Sequence, residues 1–154
     1  MSSSPEHVIL GDELMELVRG RLKAGQRVRY LPFRGVSMLP MLRQGRDGVE
    51  LAPLPERLKK YDLPVYQYPN GKYVMHRIVD VKDSCYICLG DNTIEYESVY
   101  PEQMIGVVSA FKRGDKRISV DAPAYQFYCR VWCAIFPLRK GLTKGKNWLR
   151  RHLK

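Results

Sequence analysis

A serine in a turn, a histidine on an alternating strand-like run and an aspartate in a second turn follow one another in this chain. Together they could perform acyl transfer. Ser37 lies in Gly35-Val36-Ser37-Met38-Leu39-Pro40, His76 in Val74-Met75-His76-Arg77-Ile78-Val79, and Asp91 in Leu89-Gly90-Asp91-Asn92. A serine hydroxyl attacks a carbonyl at neutral pH only when a neighbouring base takes its proton. Imidazole, with an ordinary pKa of about 6.5, is substantially neutral there and suits the task. A carboxylate on the far ring nitrogen fixes the tautomer and stabilises the imidazolium that forms, which makes Asp91 the expected third member. The backbone amide of Ser37 is the expected oxyanion donor, in a turn that Gly35 frees to aim amides at one spot. Met38, beside the nucleophile, is the expected substrate contact.

These side chains need a scaffold, and the hydrophobic pattern supplies one. Ser2, Ser3, Ser4 and Pro5 read as a loose start. Gly11-Asp12 then introduces a helix carrying Leu14, Met15, Leu17, Val18, Arg21 and Leu22, which Gly25 ends. The alternation from Arg27 to Phe33 predicts a strand that delivers the chain to the turn holding Ser37. Val49 to Leu51 predict a short strand. Leu63 to Tyr68 and Tyr73 to Val81 flank Pro69-Asn70-Gly71-Lys72, a hairpin signal, because Asn-Gly tolerates the positive φ of a tight turn. Cys85 to Leu89 form a third antiparallel strand after Lys82-Asp83-Ser84. Met104 to Phe111 and Arg117 to Val120 add two more. From Ala124 the period becomes helical, with Tyr125, Tyr128, Cys129, Trp132, Cys133 and Phe136 three or four apart and Pro137 as a stop.

Composition bounds the function classes. A chain of 154 residues has room for one core, and 45% hydrophobic with 27% charged residues is the make-up of a folded domain rather than a disordered one. The net charge of +10 favours anionic partners. Most of the excess is a tail property: no acidic residue follows Asp121, while Arg130, Arg139, Lys140, Lys144, Lys146, Arg150, Arg151 and Lys154 accumulate. No nucleic-acid reader motif accompanies it, so nucleic acid is not an expected partner. Cys85, Cys88, Cys129 and Cys133 occur without a secretory signal sequence, which favours reduced thiols in the cytoplasm. A metal site is not expected, because residues three apart on the strand Cys85 to Cys88 face opposite ways. No cofactor is called for.

The three ordered boxes resemble those of the type I signal peptidase and SOS-repressor peptidase superfamily. Tyr61-Asp62-Leu63-Pro64-Val65 is similar to that family's strand before the base, and Met104-Ile105-Gly106-Val107-Val108 to its closing strand. Histidine at the base position resembles the archaeal and endoplasmic-reticulum branch. The resemblance implies Ser37 as nucleophile, His76 as general base and Asp91 as supporting acid, in a mainly β, antiparallel catalytic core that binds substrate as an added strand. It also implies small side chains near the cut bond. The family commonly has a serine where this chain has Gly35. SOS-repressor relatives cut an Ala-Gly bond within their own chain, but Ala24-Gly25 lies too close upstream of Ser37 to loop into the site, so processing in trans is expected.

The resulting expectation is an N-terminal helical segment over 1–25, a peptidase core over 26–121 and an aromatic, basic, amphipathic helical tail over 122–154. The function expected is a serine endopeptidase cutting a peptide or leader sequence. The competing reading is a non-catalytic peptide-binding module. Ala124 to Leu138 contains Arg130 and falls short of the ~20 apolar residues that span a bilayer. The aromatic stripe there either packs on the core or joins Trp148, Leu149, Leu153 and the cations in contact with an anionic membrane surface. The protein would then be cytoplasmic and peripheral at the inner membrane face.

Overall fold

In the computed structural model, which describes residue 7 and residues 9–153, antiparallel sheet and helix share the chain equally, each at 31%. The helices therefore take a larger part than a mainly β reading expects. They flank an antiparallel core instead of alternating with its strands. The order is β1 (Ile9–Leu10), α1 (Asp12–Lys23), β2 (Val28–Leu31), β3 (Asp47–Ala52), β4 (Pro64–Gln67), β5 (Tyr73–Met75) and β6 (Arg77–Val81). There follow β7 (Tyr86–Leu89), β8 (Glu97–Val99), β9 (Met104–Arg113), β10 (Lys116–Ser119), α2 (Pro123–Ala134) and α3 (Phe136–His152). The loose start expected over Ser2–Pro5 lies outside the described residues.

The long strand β9 organises the larger sheet, whose order is β1-β5-β4-β9-β3-β2, with β10 also on β9. Its alternation buries Met104, Gly106, Val108 and Ala110. On α1, Met15, Val18 and Leu22 fall on one face and are buried, each contributing about 1.5–3 kcal/mol relative to exposure. A Cβ on Gly106 would meet Leu22 Cδ1 at 2.7 Å, so a glycine there lets α1 lie close on the sheet. Tyr125 and Cys129 of α2 join the same core as the α1 residues. Both flanking helices are thus part of one body with the sheet.

The β4–β5 hairpin forms as its Asn-Gly signal predicts, with Gly71 at φ 89° and the Tyr68 amide donating to the Lys72 carbonyl at 2.8 Å. The run from Tyr73 to Val81 reads as one strand in the sequence but is two in the fold. β5 belongs to the larger sheet, whereas β6 pairs with β7 in a second sheet, β6-β7-β8, over its own cluster of Ile78, Tyr86, Cys88 and Val99. The break falls at His76. Pro137 also behaves differently from a stop: it sits in the first turn of α3, where a missing N–H costs nothing.

Immediately after the break, Arg77 is fully buried and held on every side. Its guanidinium donates to both Asp91 carboxylate oxygens at 2.9 Å, to the Tyr125 hydroxyl at 2.8 Å, to the Cys129 sulfur at 3.0 Å and to the Tyr61 carbonyl at 3.2 Å. The rings of Tyr125 and Tyr128 lie 5.6 and 5.8 Å from it. Only a bidentate partner and a full set of acceptors offset the cost of burying such a charge, and removing one partner strands the other. Asp91→Asn should therefore cost about 3–5 kcal/mol of folding stability, read as a lowered denaturant midpoint. A midpoint equal to that of the parent would contradict this role for the pair.

Candidate active site

The Ser37 loop follows β2 and is shaped by local bonds. Gly35 takes φ 104°, a left-handed value that suits a residue without a Cβ, and its amide donates to the Gln44 side chain at 2.9 Å. That bond commits the Gly35 amide to loop structure rather than to an oxyanion. From Ser37 onward the chain turns helically, with the Leu42 amide donating to the Met38 carbonyl at 3.0 Å. Met38, expected to touch substrate, is fully buried in the main core, and its sulfur accepts the Asp91 amide at 3.5 Å. The loop turns this side chain inward while it keeps Ser37 beside His76.

The turn after β7 clamps that loop from the other side. The Asn92 amide donates to the Ser37 carbonyl at 2.8 Å, and the Asn92 side chain donates to the Val36 carbonyl at 3.1 Å. A Cβ on Gly90 would come within 2.7 Å of the Ser37 carbonyl oxygen and 3.2 Å of the His76 ring, so only glycine allows this approach. The three sequence boxes are therefore brought to one place.

At their meeting point the Ser37 hydroxyl lies 3.0 Å from His76 Nε2, and both residues are buried. That is the distance at which a hydroxyl passes its proton to a base. The carboxylate facing the other ring nitrogen is Glu97, with Nδ1 3.2 Å from Oε2. This corrects the expectation for Asp91. Asp91 is engaged by Arg77, by the Tyr128 hydroxyl at 2.8 Å and, through its backbone carbonyl, by the Trp132 indole N–H at 2.9 Å. Its role is to tie α2 to Arg77, the residue next to His76.

Glu97 stands on β8, a three-residue strand whose short Glu-Ser-Val pattern gives no periodic signal. It enters the site through β8–β7 pairing, which sets Glu97 opposite Cys88. Tyr66 of β4 donates to Oε2 at 2.5 Å and lies 3.1 Å from His76 Nδ1, and the Tyr68 hydroxyl donates to Oε1. Burial works to raise the Glu97 carboxyl. The hydrogen bond and charge of His76 and the two phenols outweigh it and bring the group down to about 2. Burial above all pushes both phenols up, so they stay protonated donors.

His7 approaches the same imidazole from the edge of the sheet, with Nδ1 3.3 Å from His76 Nε2. His7, His76 and Glu97 have ligand atoms within 4.8 Å of one another. Glu97 and His7 nevertheless face opposite nitrogens of the His76 ring, whose lone pairs diverge. The arrangement is that of a hydrogen-bonded chain rather than a chelate.

Two outcomes follow from the Glu97 contacts. Glu97→Gln should lower kcat/KM for any acyl transfer at Ser37 by on the order of 10²–10⁴, as loss of an orienting carboxylate does. Its stabilising contribution is full above the ordinary carboxyl value of 4.5 and fades as pH falls toward about 2. The gap in thermal midpoint between parent and Glu97→Gln should accordingly narrow over that window. A gap that widens there would show that the carboxylate is not held ionised.

No family model matches the chain, and no curated protein or solved structure matches it.

Proposed function

We propose that the chain is a serine endopeptidase that cuts an extended peptide through an acyl-enzyme on Ser37. The observation that carries this reading is the buried 3.0 Å contact between the Ser37 hydroxyl and His76 Nε2, with a carboxylate on the opposite nitrogen. As Oγ attacks the peptide carbonyl carbon, Nε2 takes its proton and Glu97 stabilises the imidazolium. The carbonyl oxygen becomes an oxyanion for which the Ser37 amide is the donor. Collapse breaks the C–N bond, and the imidazolium returns the proton to the departing amine. Water, deprotonated by the same nitrogen, then hydrolyses the ester.

The resemblance of the three boxes to signal peptidases and SOS-repressor peptidases supports a peptide as substrate, and the side of β5 on which the two-residue β1 now pairs is where an extended chain would add. A groove of about 790 Å³ beside the Ser37 loop, lined by Leu14, Pro32, Phe33, Arg34, Gln44 and Lys72, leaves room for flanking residues. A panel of peptides with small residues at the cut is the direct assay. Ser37→Ala should reduce cleavage by at least ~10³-fold while leaving the unfolding midpoint near that of the parent. Cleavage at the parent's rate would remove the assignment.

The tail supports a place of work. On α2, Tyr125, Tyr128, Cys129 and Trp132 close over Arg77 and Asp91, so this part of the stripe is packed. α3 differs. Leu138, Leu142 and Leu149 are exposed at helical spacing, Trp148 is exposed beside them, and Arg139, Lys140, Lys144, Lys146, Arg150 and Arg151 fill the same helix. Among the described residues no helix is long and apolar enough to cross a membrane. α3 instead has the make-up of a helix that lies on an anionic bilayer surface. Sedimentation with vesicles containing phosphatidylserine should carry the protein down at low salt and release it as salt rises. Leu142→Glu/Leu149→Glu should abolish the effect, and undiminished binding by that variant would contradict it.

A further inference from the structure

The segment before α1 is itself seated on the sheet edge that leads to the base. β1 pairs antiparallel with β5, with Ile9 opposite Val74 and Leu10 opposite Tyr73. Extending that register by two residues sets His7 opposite His76. The side chains confirm the alignment, with ring centroids 5.1 Å apart and the 3.3 Å contact at Nε2. The His7 ring also meets Tyr68 edge-on, with centroids 5.8 Å apart. Without β1, β5 would be the outer strand, with unpaired N–H and C=O groups running up to the catalytic histidine.

Such an edge is what an extended peptide needs for main-chain pairing. From these contacts we infer that the segment carrying His7, Ile9 and Leu10 is a built-in competitor, holding the substrate strand's place on β5 until a peptide displaces it. The inference rests on the peptidase reading of the site and adds its regulation.

The chemistry at the tip fits a blocking role. With the proton of His76 on Nδ1, toward the Glu97 carboxylate, Nε2 offers one lone pair, and the Ser37 hydroxyl and the His7 Nδ1–H tautomer compete to donate to it. Every proton transfer from Ser37 requires that lone pair. Burial first, and the nearby His76 next, lower the His7 imidazole, which keeps it neutral and able to stay there. Among the described residues the segment is held on β5 by the pairings of Ile9 and Leu10 and by the His7 imidazole. A groove occupied for a fraction of the time weakens apparent affinity by the free fraction, so a strand docked ~90% of the time would raise KM about tenfold.

The test compares the full chain with the full-chain variant Ile9→Pro/Leu10→Pro, whose prolines cannot donate to a strand ladder. With a cleavable peptide, the variant should show KM lowered by roughly tenfold and kcat within about twofold of the parent. A synthetic peptide of the sequence Met1 to Leu10 should inhibit the variant competitively. KM unchanged in a cleaving enzyme would overturn the inference and leave the peptidase reading intact.

A second arm needs no catalysis. In a Ser37→Ala background, the same peptide carrying a fluorophore should raise its anisotropy with Ile9→Pro/Leu10→Pro and bind the unbroken chain at least fivefold more weakly. That result with no hydrolysis by any variant would sustain the inference while the peptidase reading failed. Equal binding to both, or to neither, would overturn it. So would intact-mass spectra in which the parent, but not Ser37→Ala, sheds the segment, because a strand that is cut is a substrate and not a resident.

Discussion

The buried pair of Arg77 and Asp91 is the constraint on which the site depends. A guanidinium without solvent must have its acceptors in place before the fold is stable, and these come from three distant parts of the chain: Tyr61, Asp91, and Tyr125 with Cys129 on α2. Once they converge, the Gly90-Asp91-Asn92 turn is pinned against the Ser37 loop, and the chain at 76 and 77 has its position fixed. Neighbouring residues then point to different tasks. Arg77 anchors the structure, and His76 faces the serine.

That division explains why the larger and smaller sheets meet at the histidine. A continuous strand would have run past the Ser37 loop within one sheet. By leaving one sheet at Met75 and entering the other at Arg77, the chain sets the imidazole between them, with Ser37 at one nitrogen and Glu97 of β8 at the other. Tyr66 and Tyr68 bring the β4–β5 hairpin into the same network through Glu97. The histidine is thus oriented by both sheets.

Much of this was legible in the residues. The Asn-Gly hairpin, the amphipathic α1 and the serine and histidine boxes each carry a local signal strong enough to survive tertiary context. Glu97 was not legible, because a three-residue strand has no period and its acid is one of several in a loop-rich stretch. Asp91 looked like the better partner for the histidine by order alone. Arg77, fully buried beside His76, claims it instead, and burial of a particular arginine has no local signature. β1 was missed for a related reason: two residues pair only because the β5 edge is there to receive them.

The central claim is that His76 activates Ser37. Its most direct measurement uses an aryl phosphonate electrophile bearing a short peptide, with the modified residue mapped and its rate of formation followed by mass spectrometry. A single adduct on Ser37 is expected, forming at least ~10³-fold more slowly in a folded His76→Ala variant. Adduct formation at equal rates in the two proteins, or on a residue other than Ser37, would contradict it.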